Sequence, residues 1–120
     1  MDNLNLKIQN NNKSWGYEEL IENNNNFIIK KIFIKEKYLN TTIFHNIKLK
    51  TIVILKGTLR IFLGNDINSL DFKDYNEGEY ITIKPLIIHK MMGITDCIFI
   101  ETSTIELWDE TKIQEKRYNI

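Results

Sequence analysis

The chain carries its apolar residues in short blocks, each closed by an Asn, Gly or Asp cluster, which is the pattern of successive β-strands. Predicted strands are LNLKI (4–8), FIIKKIFI (27–34), TTIFHNI (41–47), TIVILK (51–56), TLRIFLG (58–64), EYITIK (79–84), IIHKMM (87–92) and CIFIETS (97–103). Alanine is absent while Ile, Phe, Tyr and Thr are plentiful, so local preference also favours strand over helix. Many short strands at this spacing predict an all-β sandwich or closed barrel.

Turn residues fit that reading. Lys56-Gly57, Gly64-Asn65-Asp66 and Glu77-Gly78 tolerate the left-handed backbone of tight reversals, and the first is expected to close a hairpin between 51–56 and 58–64. Asn10 to Lys13 and Asn23 to Asn26 read as short loops. The tail from Trp108 to Tyr118 is charged and reads as a short helix or an irregular segment packed across the barrel. Two strands are apolar at consecutive positions, Ile52 to Leu55 and Cys97 to Ile100, so both of their faces need cover. In a small barrel the second cover is most simply another copy of the chain, and a homodimer is expected.

Length and charge narrow the class. At 120 residues the chain supports one core. Sixteen basic residues balance sixteen acidic ones, which argues against a nucleic-acid or anionic-membrane partner while leaving local anion binding open. Cys97 is the single cysteine and is expected to act as a small core hydrophobe. The apolar runs are broken by Lys well short of the roughly 20 residues of a membrane span. Residues 1–15 are polar and lack the apolar centre of a secretory signal, so a cytoplasmic protein is expected. No glycine-rich phosphate loop, nucleophile elbow or Cys-x-x-Cys pair occurs.

The residues that could carry chemistry fall in a recognisable order. His45, Gly57 with Thr58, Gly78-Glu79 and IKPLIIH (83–89) resemble the two sequence motifs of the cupin family, with Gly78, Pro85 and His89 echoing the second motif. SWGYEEL (14–20) and FIETSTIELWDETKIQEKRY (99–118) resemble the opening and closing segments of the cupin domain of type II mannose-6-phosphate isomerases. The resemblance implies an all-β, single-domain cupin, a double-stranded β-helix or jelly-roll barrel, over residues 1–120. Within it, 1–14 would form an arm, 15–103 the barrel and 104–120 a tail packed on it.

A cupin metal site is implied as well, and here the sequence departs from the family. Positions expected to supply the second histidine and a further ligand carry Ile47, Lys50 and Thr51, which leaves His45 and His89. A catalytic zinc normally has three protein ligands, so a divalent metal such as zinc would need Glu101 to complete the set. His45 can be read as a wall residue bonded to a backbone group or as a ligand-facing side chain. Lys48 and Lys50 read as solvated hairpin charges, or Lys50 supplies the positive charge that a metal gives the relatives. Arg117-Tyr118 resembles the end of the isomerase domain, where a guanidinium would grip a phosphate, although a surface ion pair with Glu115 or Asp109 is the plainer reading. Trp15 and Trp108 read as packing anchors.

The resemblance therefore implies a sugar-phosphate or nucleotide-sugar protein, most specifically an aldose-ketose isomerase. His89 and Glu101 would relay the proton, Lys50 or a metal would steady the enediolate, and Arg117, Tyr118 and His45 would bind substrate. Two alternatives stand beside it. One is a cupin that binds a sugar or a protein partner without catalysis. The other is a metal-independent sugar-nucleotide isomerase or epimerase that pairs His45 or His89 with Tyr80 or Tyr118.

Overall fold

The computed structural model describes residues 8–114. Eleven strands form two antiparallel sheets. They are β1 (Gln9–Lys13), β2 (Gly16–Asn23), β3 (Ile28–Ile34), β4 (Ile43–Phe44), β5 (Lys50–Lys56), β6 (Leu59–Gly64), β7 (Asp71–Tyr75), β8 (Tyr80–Ile83), β9 (Ile88–Gly93), β10 (Cys97–Ser103) and β11 (Thr111–Lys112). One sheet runs β1-β2-β3-β10-β5-β8 and the other β11-β4-β9-β6-β7.

Alternation along the strands builds the core. Ile32 and Ile34 of β3, Ile52 and Ile54 of β5, and Cys97 and Phe99 of β10 face Leu59 and Ile61 of β6 and Met91 of β9. Each fully buried aliphatic side chain in this layer contributes roughly 1.5–3 kcal/mol. Cys97 is completely buried, and burial pushes its thiol up to about 12, which suits the small-hydrophobe role and leaves it unreactive.

The expected hairpin between β5 and β6 does not form. β5 pairs with β10 and β8, whereas β6 pairs with β7 and β9 in the other sheet. The chain crosses between sheets at Gly57, whose φ is +83°. A Cβ there would meet the Asp96 carbonyl oxygen at 2.2 Å, so a side chain is excluded on two counts. The crossing places the apolar faces of β5 and β6 opposite one another across the core, where a flat hairpin would have put them side by side. The true hairpin joins β6 to β7, with the Asp66 carboxylate accepting the Asn68 N–H at 3.0 Å in the turn.

Strand placement differs from expectation elsewhere too. Residues 10–13, read as a loop, lie in β1 and pair with β2, a strand absent from the prediction. β7 was likewise unpredicted, since DFKDY is polar and buries only Tyr75. The 41–47 strand contracts to the two residues of β4, and part of the tail becomes β11 beside it rather than a helix. The predicted 4–8 strand lies almost wholly outside the described residues. None of the described residues forms a helix long and apolar enough to cross a membrane. Trp15 is buried in the core as expected, but Trp108 is 73 % exposed and anchors nothing.

The outer face of the six-stranded sheet is also apolar. Phe33 opposes Ile98, while Ile100, Val53 and Tyr80 form one cross-strand row. Leu55 and Tyr80 are 51 % and 68 % exposed on that face. Tyr80 therefore points away from the barrel interior, which removes it as a partner for either histidine.

Candidate functional site

At one end of the barrel the alternation that buries aliphatic residues delivers polar ones instead. Lys48 and Lys50 continue inward the parity of Ile52 and Ile54, Glu101 continues that of Cys97 and Phe99, and His89 that of Met91. His45 follows Ile43 on β4, whose Cα partner on β9 is His89. All five side chains are buried, and the two lysines are only 3 % and 4 % exposed rather than solvated.

The imidazoles lie with ring centroids 5.5 Å apart and planes tilted by 47°. His89 Nδ1 is 2.9 Å from the Ile87 carbonyl oxygen, and His45 Nδ1 contacts the Asp109 carbonyl oxygen. A carbonyl only accepts, so each ring donates from Nδ1–H and leaves Nε2 as an unprotonated acceptor. Both Nε2 atoms are buried, and neither has a hydrogen-bond partner among the described residues. Burial, reinforced by the Lys50 ammonium, lowers both rings, taking His89 to about 3, so both are neutral at physiological pH. His45 is thus tied to the backbone through one nitrogen, as its wall reading expects, while its other nitrogen is buried.

Lys50 Nζ lies 3.4 Å from Glu101 Oε2. Burial alone would raise the Glu101 carboxyl, but the Lys50, Lys30 and Lys48 ammoniums outweigh it and hold the group below its ordinary value. Lys30, opposite Glu101 on β3, pairs in turn with Glu18 of β2 at 3.5 Å. A groove of about 310 Å³, lined by Gln9, Asn10, Asn11, Glu18, Leu20, Lys30 and Leu107, meets the charged cluster at the Lys30–Glu18 pair.

Asp109 is the structural residue that sequence reasoning missed. Its carboxylate accepts the backbone N–H groups of Asn46, Ile47 and Lys48 at 2.9, 2.6 and 2.9 Å, and the Asn46 side-chain amide at 3.2 Å. Burial opposes charge on this carboxylate, but the three backbone donors more than offset it and hold the group far below the usual carboxylate range. The tail segment thereby fixes the loop that carries His45 and Lys48. The only sequence signal was an acidic residue in a charged tail, indistinguishable from a surface partner for Arg117. Arg117 and Tyr118 lie outside the described residues.

The donor set does not suit a divalent metal. Among the described residues no three His, Cys, Asp or Glu side chains converge as ligands. Glu101 is engaged by Lys50, and a cation between the two Nε2 atoms would face the ammoniums of Lys50 and Lys48. What the arrangement offers is two acceptors, an ion pair and, in Lys48, a buried lysine with no ion-pair partner among the described residues, which suits a ligand bearing hydroxyl donors and negative charge.

No protein-family model matches the chain, and no curated protein does. Solved structures do match. Oxalate decarboxylase from Bacillus subtilis superposes with a TM-score of 0.77 at 11 % identity over 88 % of this chain and 30 % of its own. The capsular polysaccharide assembling protein CapF from Staphylococcus aureus gives 0.72 at 15 % identity over 88 % and 34 %. A double-stranded β-helix protein from Klebsiella pneumoniae gives 0.73 at 14 % identity over 88 % and 90 %. The chain thus spans about a third of the first two proteins and most of the third. At these identities the likeness establishes the fold, an all-β double-stranded β-helix of the cupin type.

Proposed function

We propose, taking the cupin fold as the premise, that this chain is a sugar-metabolism protein that holds an anionic sugar at the lysine-histidine end of its barrel without a metal. The observation that carries this is the pair of buried, unpartnered imidazole Nε2 acceptors beside the Lys50–Glu101 ion pair. Buried polar atoms are nearly always satisfied, and sugar hydroxyls are donors of the right kind. CapF, a capsular polysaccharide assembling protein of the same fold, supports a carbohydrate ligand.

The specific reaction proposed is aldose-ketose isomerisation of a sugar phosphate resembling mannose 6-phosphate. His89 Nε2 takes the proton from C2 and returns it to C1 through an enediolate, while the O2 hydroxyl proton passes to O1 by way of His45 Nε2. Lys50 steadies the negative oxygen of that enediolate, the place a metal fills in the family that the sequence resembles. Glu101, held ionised by the surrounding lysines, keeps Lys50 in place and is the counter-ion rather than the acid. His45 accepts a substrate hydroxyl. Burial first and the Lys50 ammonium second make His89 a weak base in the free protein, and an anionic ligand in the site raises its affinity for a proton.

A coupled assay on mannose 6-phosphate, run with and without a chelator, tests this. Turnover that survives chelation is the expected result, and binding without turnover assigns the same site to a non-catalytic sugar-binding cupin. No binding of mannose 6-phosphate would defeat both. The apolar outer face bearing Phe33, Val53, Ile98 and Ile100 supports a homodimer, a state expected in sedimentation velocity at micromolar concentration. A cytoplasmic setting accords with the single, unreactive Cys97.

A further inference from the structure

Three lysines of the cluster, Lys30, Lys48 and Lys50, differ in how their charge is met. Lys30 is paired with Glu18 and Lys50 with Glu101, while Lys48 has no carboxylate within 4.0 Å among the described residues. It is nonetheless 3 % exposed. Its backbone is pinned through its own N–H by the Asp109 carboxylate. Burial weakens its hold on a proton, the Lys30 ammonium weakens it further, and Glu101, Lys50 and Glu110 act less strongly. A buried cation without a counter-ion is strongly unfavourable, and a bound anion removes that cost.

Lys30 marks the route for such an anion. It lines the groove of about 310 Å³ together with Gln9, Asn10 and Asn11, and it stands opposite Glu101, the partner of Lys50, on the face to which Lys48 also turns inward. The two unpartnered Nε2 atoms lie in the same cluster and accept hydrogen bonds. We infer that Lys48, with Lys30, seats the carboxylate or phosphate monoester of a hydroxylated ligand that enters along the Gln9–Asn11 groove, its hydroxyls donating to His45 and His89. This deepens the sugar-ligand reading and rests on it for the hydroxyl groups alone. It gives the anion-holding role, which the family resemblance implies for Arg117, to lysines inside the barrel.

Isothermal titration of the 120-residue chain with mannose 6-phosphate, glucuronate, mannose and inorganic phosphate tests the inference. Wild-type protein is expected to bind one or both charged sugars more tightly than mannose; the glucuronate and phosphate arms tell a carboxylate ligand from a phosphate one. Lys48→Met is expected to weaken the charged sugars by about tenfold or more, the loss of one charge-assisted hydrogen bond, and to leave mannose unaffected. Lys48→Gln serves as the second variant should Lys48→Met not fold. Unchanged affinity of the charged sugars in either folded variant, or wild-type binding of mannose as tight as that of mannose 6-phosphate, overturns the inference. Charge-dependent binding without turnover defeats the isomerase and leaves this site standing. Turnover with an unchanged KM in Lys48→Met does the reverse.

Discussion

Replacing Glu101 with Gln is expected to destabilise the fold by about 3–5 kcal/mol, because it strands Lys50 as a buried cation without its counter-ion. The two groups sit at 9 % side-chain exposure or less, so solvent does not screen the loss. Gln is close in volume, which confines the effect to charge rather than to a cavity. The double variant Lys50→Met with Glu101→Leu removes both charges and is expected to recover most of the stability, since replacing a buried ion pair with apolar side chains is often neutral or favourable. Urea unfolding at pH 7 reads both variants. Equal stability of Glu101→Gln and wild type would show that the pair does not hold Lys50.

The same cluster sets an acid limit on stability. Glu101 has a folded-state pKa below its ordinary value, so its contribution is complete above the usual carboxylate range and fades as pH falls through the lowered value. His45 and His89 act in the same direction for a different reason. Their folded-state values lie below 6.5, so as pH falls the unfolded chain binds protons first and unfolding gains. For His89 that loss runs from about pH 6.5 down to about 3. The Glu101→Gln variant loses the carboxylate part of this slope and keeps the histidine part.

How far the sequence could reveal this protein depends on what each residue's role is made of. β10 was predicted to the residue, because CIFIETS combines β-branched and aromatic side chains with clear boundaries. β1 and β7 were missed, since a polar edge strand is held by backbone pairing that leaves no apolar trace. The Lys56-Gly57 turn was correctly placed but wrongly joined: a glycine at positive φ marks a reversal and does not say whether the next strand returns to the same sheet. The histidines were found from their motif positions. Lys48, Lys30 and Asp109 were not, because a lysine or aspartate signals a solvated surface by default, and only strand parity together with a closing tail turns these inward. Parity was readable from Ile52 and Ile54 back to Lys50 and Lys48, yet its meaning depended on knowing that the barrel end is covered. Asp109 lies 61 to 63 residues from the amides it binds, and no local pattern reports that distance.

His89→Gln is expected to lower isomerase turnover by about 10²–10⁴, the range for losing a positioned general base, with kcat falling far more than KM. Gln is the informative replacement because its amide can still donate to the Ile87 carbonyl, as His89 Nδ1 does, while lacking a basic nitrogen. If His89 were merely a wall residue, Gln would disturb packing and stability together and leave turnover per folded molecule near that of wild type. A second measurement separates the two cases. Gln does not titrate, so the variant should lose the part of the acid slope between about pH 6.5 and 3 that His89 contributes. Loss of turnover together with that flattening assigns both effects to one imidazole, neutral at rest and desolvated beside Lys50. Flattening with turnover intact would keep His89 as a buried titrating group and move the base elsewhere, with His45 as the other unpartnered Nε2 in the cluster.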